Sequence, residues 1–411
     1  MAIIKILRIN SPERSSRHEP AQTDLGRHRS LWLDTASFER HRPLPGDRNY
    51  DVVVVGAGIT GLTTALMLAR AGLAVGVLEA ARIGAGTSGH TTAKVTSQHG
   101  LAYSRLRRTL GLDAAVTYGA ANEVAKERVA AFAAEGIECD FRRRPAYVYA
   151  SAWWQEPLVR LEARDAAAAG LPARFVDRVP LPFPTAGAVR FDDQAELHAG
   201  RYLSGLARLL GEAGGEIFEG TRARAVHEGR LCRVETDHGV VRAEHAVLAT
   251  LLPFADRGGF FARAFPSRSY LLSARIADPP PEGCFISAAP PVRTIRSHPV
   301  EDGELLLVGG EGHHAGDGRA DPERYRRLAA FARRHWHVES IEHHWSAQDY
   351  STGDGVPFVG RLHPATRRLH VATGMGKWGM TNGTVAAILL TDAILGRRNA
   401  WAPVFSATRI R

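Results

Sequence analysis

Asp51-Val-Val-Val-Val55 is an unbroken β-branched run, the pattern of a strand buried on both faces, and it predicts a central parallel strand. Gly56-Ala-Gly58-Ile-Thr-Gly61 follows at once, residues 62–71 have helix-forming composition, and Gly72 stops that helix. Residues 73–78 read as a second strand ending on Glu79, which makes 51–79 one βαβ unit. Alanines, valines and charges recur at helical spacing over 114–135, and 146–150 reads as a strand. The segment 186–226 predicts a turn, a helix over 198–210, a stop at Gly214-Gly215 and another strand. Residues 240–249 alternate and finish apolar; strands are expected over 270–276 and 304–308, and a helix over 321–336. The pattern closes with a strand over 369–372, a glycine-rich turn and a helix over 381–395. Helical and strand patterns alternate without repeats or a clean linker, which predicts an α/β fold with two domains interleaved in sequence.

Composition narrows the class. With 411 residues, 45% hydrophobic and 23% charged, the chain is too long for one small core and too apolar for a disordered protein. Cys139, Cys232 and Cys284 stand far apart, so neither a disulfide framework nor a zinc or iron–sulfur site is expected, and no metal. The net charge of +9 raises nucleic-acid or membrane binding, but basic clusters such as Arg142-Arg143-Arg144 lack interleaved aromatics and read as solvated faces. Only Lys5, Lys94, Lys126 and Lys377 among the 52 basic residues are lysines, so a lysine inside a motif is chosen for its chemistry. Residues 1–7 are too short for a signal-peptide core and the polar stretch to Ser30 reads as a flexible arm, which together predict a cytoplasmic protein. The uncharged run 52–69 has the length of a minimal membrane span, yet its glycines and threonines fit strand, turn and helix better.

The first chemical signal is Gly56-x-Gly58-x-x-Gly61 between a buried strand and a helix. Gly56 permits the tight turn, Gly58 lets backbone approach a pyrophosphate, and Gly61 lets helix and strand pack closely. The helix N-terminus offers N–H groups to the phosphates, and Glu79 is placed to accept hydrogen bonds from ribose hydroxyls.

Val54-Val-Gly-Ala-Gly-Ile-Thr-Gly-Leu62, Leu78-Glu-Ala80 and Gly84-Ala-Gly-Thr-Ser-Gly-His90 together resemble the FAD-binding start of the D-amino-acid oxidase superfamily, which includes glycine and sarcosine oxidases. The resemblance resumes at Val247-Leu-Ala-Thr250, at Pro357-Phe-Val-Gly360 and through Val371-Ala-Thr-Gly-Met-Gly-Lys-Trp-Gly-Met-Thr381, and it spans most of 51–396. Thr91-Thr-Ala-Lys-Val-Thr-Ser-Gln-His-Gly100 and Trp345-Ser-Ala-Gln-Asp349 are similar to a bacterial subgroup that often carries a C-terminal Rieske domain; without one here, electron transfer to such a centre would need another protein. The resemblance implies a Rossmann-like FAD-binding domain from 50–110, 192–260 and 350–400, interleaved with a sheet-rich α+β substrate domain from 111–191 and 261–349. An N-terminal arm over 1–49 and a tail over 401–411 complete the expectation.

On this alignment FAD would be held by Gly56, Gly58, Ile59, Thr60 and Gly61, and by Glu79 with Ala80. Thr87, Ser88, His90, Thr91 and Thr92 would form a second segment, and Ala223, Ala249 and Thr250 a third. Gly374, Gly376, Lys377, Trp378, Gly379, Met380 and Thr381 would complete it. The second GxGxxG, Gly374 to Gly379, could be an NAD site, but no strand with an acidic ribose ligand follows it. The resemblance instead sets this turn against the isoalloxazine, where a helix N-terminus would favour negative charge on reduced flavin.

The resemblance places Lys377 and Lys94 at the flavin, where an ammonium could serve reduced flavin or oxygen, or merely make a phosphate or structural contact. His90 aligns with a histidine that one branch joins covalently to FAD; it would form that bond or only a hydrogen bond. Asp349 falls where amino-acid oxidases often place a carboxylate-binding arginine, so it would favour a cationic amine, or it is a surface or helix-capping residue. Tyr270, Trp345, Tyr350 and Trp378 are candidate aromatic walls, whereas His313-His314 and His343-His344 lack zinc-helix spacing and read as surface histidines. The expected activity is oxidation of an amine C–N bond by hydride transfer to FAD, with oxygen or a redox protein as acceptor. No strong base is needed if the amine arrives neutral. The alternative is an electron-transfer flavoprotein serving a separate Rieske or other redox partner.

Overall fold

A computed structural model describes residues 25–255, 257–315 and 321–409. The predicted βαβ unit is present, with Arg48–Val55 and Val75–Leu78 parallel and Ile59–Arg70 as the crossover helix. Arg48–Val55 is central to an eight-stranded sheet, with Val75–Leu78 and Gly239–Leu248 parallel on its two sides. Glu216–Phe218 and Leu369–Thr373 extend the parallel part, and Phe358–Arg361 closes one edge antiparallel. Val52 and Val54 join the core under helices Ile59–Arg70, Ala199–Glu212 and Gly379–Ile394, while Val53 and Val55 pack with Leu248, Phe358 and Val371 on the other face. A strand sealed on both sides has no position for a polar residue, which is why its valines run without interruption.

The second sheet has nine strands. Its long antiparallel strands are Ala264–Ile276, Gly303–His314 and Val338–Thr352, and Arg142–Tyr149, Ala188–Glu196 and the short Lys94–Val95 lie toward its far edge. Helix Pro322–His335 covers one face, setting Tyr325, Leu328 and Ala332 against Tyr270, Leu272 and Leu306. Lys94 pairs with Glu196, so the chain reaches this sheet well before residue 110 and Ala188–Glu196 stays in it past residue 192.

Two sequence expectations change. The part of the arm over 1–24 lies outside the described residues; beyond it Leu25, Ser30 and Trp32 are buried, and Leu31–Thr35 is a short helix capped by Ser30. Trp32 Nε1 donates to Thr91 O at 2.6 Å and Ser30 Oγ to Gly89 O at 2.6 Å, so this segment braces the chain near His90 rather than hanging free. His343 is not a surface histidine: it is buried, 2.9 Å from Ser273 Oγ and 3.1 Å from Asp34 Oδ2. His344 is half-buried and stacks on His28, and half-buried His313 stacks on Tyr270; the sheet needs both faces covered, and N-terminal residues and side-chain rings supply the cover. Residues 401–409 also pack, with Phe405 buried and Ala407 N donating to Val359 O at 2.9 Å. Among the described residues no helix is long and apolar enough to cross a membrane.

Candidate active site

The parallel strands end at Val55, Leu78, Leu248 and Thr373, and the loops leaving them face the second sheet across one cavity of about 1280 Å³. Clefts at the carboxyl ends of such strands are where α/β folds bind ligands. The volume exceeds the roughly 300–1,000 Å³ of an ordinary small-molecule pocket.

The glycine turn forms one end. Gly56 has φ of +108°, and a Cβ on Gly61 would lie 1.8 Å from Gly56 O, so the turn and the close packing both require glycine. Gly56, Gly58, Ile59 and Thr60 line the cavity and Gly61 sits behind them. Helix Ile59–Arg70 carries no acidic side chain in its first turn, which suits a phosphate. Glu79 Oε2 accepts from Ala57 N at 2.9 Å and Oε1 from Ala81 N at 2.8 Å, which sets the carboxylate at the mouth of the turn beside Ala80. Ser88 Oγ accepts from Ile59 N at 3.0 Å, joining the second segment to the first. Thr87, Ser88, His90, Thr91 and Thr92 all line the cavity, as do Ala223, Ala249 and Thr250. This cradle, with no acidic side chain at the helix start and no room for side chains at its glycines, fits a dinucleotide.

The Thr87–His90 turn is held from three directions that the sequence did not reveal. Thr87 Oγ1 donates to Gln348 O at 2.6 Å, Trp345 Nε1 donates to His90 O at 3.0 Å, and Trp32 bonds Thr91 O. Trp345 is therefore buried behind the turn instead of forming an aromatic wall, and Tyr350 likewise lies off the cavity. Tyr270 and Trp378 do line it. His90 Nδ1 lies 2.8 Å from Gly86 O; a carbonyl only accepts, so that nitrogen carries the hydrogen.

The second glycine turn forms the opposite wall through Gly376, Lys377, Trp378, Gly379 and Met380. Gly374, with φ of +77°, and buried Thr381 stand behind it, and Thr381 Oγ1 donates to Thr96 O at 2.9 Å. Asp349 lines the cavity, but its Oδ1 accepts from Tyr350 N at 2.8 Å and its Oδ2 from Lys377 N at 2.5 Å. Burial pushes this carboxyl up to about 6 against those two hydrogen bonds. The side chain thus holds the turn ahead of helix Gly379–Ile394 from a buried position, whereas the helix N-cap itself is Trp378. Lys377 projects into the cavity with a backbone φ of +72°, and its Nζ would lie 3.1 Å from a Cβ on Gly312 of the second sheet. Burial lowers its pKa, opposed by the charge of Asp349.

His99 was missed in sequence. It is buried, stacks on Trp378 at 4.7 Å between ring centroids, and bonds Tyr118 Oη at 2.6 Å through Nδ1. Burial lowers its pKa to about 3, so it is neutral. Asn382 donates to both Tyr118 Oη and Met375 O at 3.1 Å, so one buried network fixes the turn. A lone histidine in the polar stretch Thr96-Ser-Gln-His-Gly100 gave no periodicity by which to find it.

Residues 51–393 match the profile of a family described as FAD dependent oxidoreductase, DAO. The chain is similar to the putative Rieske 2Fe-2S iron-sulfur protein YhfW of Bacillus subtilis, at 32% identity over 92% of this chain and 75% of that one. It is also similar to gamma-glutamylputrescine oxidoreductase of Escherichia coli, at 29% identity over 48% of each. The crystal structure of glycine oxidase from Geobacillus kaustophilus shares the fold, with a TM-score of 0.72 and 21% identity over 88% of this chain and 99% of that one. With a nucleotide cradle, a second glycine turn across one cavity and a family match over most of its length, the chain belongs to the DAO family of FAD-dependent oxidoreductases and FAD is its cofactor.

Proposed function

We propose that the protein oxidises a C–N bond of a small amine. The observation that carries this reading is the continuity of the cavity: the nucleotide cradle at one end opens directly onto the second sheet, where Tyr270, Ser269, Thr294 and His313 offer a polar, aromatic wall for a small molecule. Bound FAD supplies the hydride acceptor, leaving the substrate as an imine that hydrolyses. Lys377 holds a positive charge at the turn beside the cofactor, where it favours an anionic reduced state or reaction with oxygen. Asp349 acts as a positioning residue through Lys377 N and Tyr350 N, the role its two hydrogen bonds support ahead of contact with a cationic substrate. Tyr270 orients the wall: its hydroxyl bonds His313 Nε2 at 2.9 Å and accepts from Asp321 N at 3.2 Å. The buried free cysteines favour a reducing compartment such as the cytoplasm.

A second reading is electron transfer to a separate redox protein, favoured by the iron–sulfur name of the Bacillus subtilis relative. Anaerobic mixing of the holoenzyme with amines, amino acids and NAD(P)H, followed by air, tests both. Bleaching by an amine with rapid reoxidation and stoichiometric peroxide supports an oxidase; bleaching with slow reoxidation supports the redox partner. Bleaching by NAD(P)H alone would overturn the amine reading.

A further inference from the structure

Lys94 stands on Lys94–Val95 at the cavity wall, 6% exposed. Its Nζ donates to Thr294 Oγ1 at 2.5 Å and to Phe285 O at 3.3 Å. Thr294 Oγ1 in turn donates to Phe285 O at 3.1 Å, so its hydrogen is spent and it can only accept from Lys94. Trp378, another cavity wall, has its ring centroid 5.8 Å from Nζ. Two acceptors match the two N–H groups of a neutral amine and leave the third tetrahedral position of Nζ for a lone pair.

Among the described residues no carboxylate bonds this lysine. Glu196, on the strand paired with Lys94, is engaged by Arg142 at 2.6 Å and Arg296 at 3.3 Å, with Arg144 at 3.9 Å. Cys284 is a neutral thiol, pushed up to about 12 by burial. Arg293, next to Thr294, is paired with Glu311 at 2.5 Å, His99 on Trp378 is neutral, and the charges of Lys377 and Asp349 lie on and against the Trp378 turn. Burial, with Arg296 adding to it and Cys284 and Glu196 opposing, lowers the Lys94 pKa to about 8.

We propose that Lys94 is the proton acceptor for the substrate ammonium, its two fixed N–H bonds aiming the amine lone pair at the molecule in the cavity. This rests on the amine reading above. In the step, R2CH–NH3+ and Lys94–NH2 become R2CH–NH2 and Lys94–NH3+: an N–H bond breaks on the substrate and one forms on Nζ. The lone pair left on the substrate nitrogen then supports hydride loss from the adjacent carbon, with the two electrons going to FAD. Lys94 releases its proton to solvent as the product leaves. The need for a neutral amine is thereby met inside the site rather than by the free ionisation of the substrate.

Two measurements on the holoenzyme test this. With four lysines in the chain, labelling with [ε-13C]lysine gives a spectrum simple enough that the resonance missing in Lys94→Met is assigned at once. That resonance should titrate near 8 rather than near the ordinary value of about 10.4. Anaerobic flavin reduction by glycine, N-methylglycine, putrescine and benzylamine is then followed from pH 7 to 10.5. At pH 8 Lys94→Met should be slower by about a hundredfold with any probe that bleaches the wild type, and it should recover most of that loss by pH 10.5, where the amine ionises by itself. Lys94→Arg, which keeps its proton, should be as slow as Lys94→Met at pH 8 and should recover with it by pH 10.5. A Lys94 resonance titrating at 10 or above, a wild-type rate in Lys94→Met at pH 8, or an equal loss at pH 8 and 10.5 would each overturn the assignment. Bleaching of the wild type by none of the four probes would overturn the amine reading and this one together, an outcome distinct from all of those.

Discussion

A Cβ placed on Gly58 would stand 3.0 Å from Ser88 Oγ, the atom that receives the Ile59 N–H. Gly58→Val therefore puts branched carbon into the pyrophosphate path and displaces the serine, and it should yield apoprotein; the flavin absorbance of the purified variant checks this. His90 poses a separate question, because the contact with Gly86 O occupies Nδ1 and leaves Nε2 as the ring nitrogen available to the flavin. We expect a non-covalent contact, so heat or acid denaturation followed by filtration should release the flavin. Fluorescence that stays on the wild-type chain and disappears in His90→Ala would reverse this. Lys377→Met should keep FAD but slow flavin reduction, reoxidation or both by about a hundredfold, since one charge at a water-poor site is worth a few kcal/mol. Lys377→Arg should restore charge without the full rate, and unchanged half-reactions in Lys377→Met would make the residue a structural contact. The glycines and Glu79 were legible because each meets a steric or charge demand local to one βαβ unit. The reach of Lys377 to Gly312 was not, because it joins two sheets.

The element that most depends on one distant side chain is the turn from Gly374 to Gly379. Its glycines supply positive φ at Gly374 and Gly376, but non-glycine Lys377 also adopts +72°, and the N–H exposed by that conformation is taken by Asp349. Asparagine there has only one acceptor oxygen, so Asp349→Asn should loosen the turn and weaken FAD retention. Asp349 also carries a pH signature. Its carboxyl, near 6 in the fold against 3.8 in a model peptide, binds a proton more readily folded than unfolded. The associated stability is fully present below 3.8 and is lost as pH rises through 6. Unfolding of wild type and Asp349→Asn compared at pH 4 and 7 should show the wild type losing up to about 3 kcal/mol of its relative advantage at the higher pH. An unchanged difference would place Asp349 closer to solvent than the structure has it. At this scale the helix and glycine turn were readable from spacing, while the clamps of Trp32 and Trp345 on the His90 turn were not. Tryptophans distant in sequence carry no periodic signal of the backbone they bond.

Across the whole molecule, the last described residues close the edge of the first sheet. Arg409 bonds Asp354 at 2.8 Å and donates to Pro357 O, Phe405 O and Ser406 O, tying the tail to the loop before Phe358–Arg361. Burial raises the Asp354 carboxyl, but the hydrogen bonds and charge of Arg409 outweigh it and leave the group below its usual value. Arg409→Met removes the charge paired with that carboxylate, leaving it the hydrogen bonds from Thr352 Oγ1 and Val356 N at 3.0 Å, and should destabilise the holoenzyme by about 2 kcal/mol, read as a lower thermal midpoint. The associated stability is present above the ordinary carboxylate range and lost as pH falls through the depressed value, so the gap between variant and wild type should narrow in acid.

The chain by itself determined the cofactor class and the α/β architecture, because Gly56, Gly58, Gly61 and Glu79 lie within one unit whose geometry follows from strand, turn and helix in sequence order. The valine run likewise determined that residues 52–55 are sealed on both faces. Only the tertiary structure decided the chemistry of the wall. Lys94 faces Thr294 and Phe285 from a strand some two hundred residues earlier, and Asp349 turns its carboxylate to Lys377 N instead of a substrate. Such contacts are created by sheet register and by the burial that shifts each group, and neither quantity is a property of any short stretch of sequence.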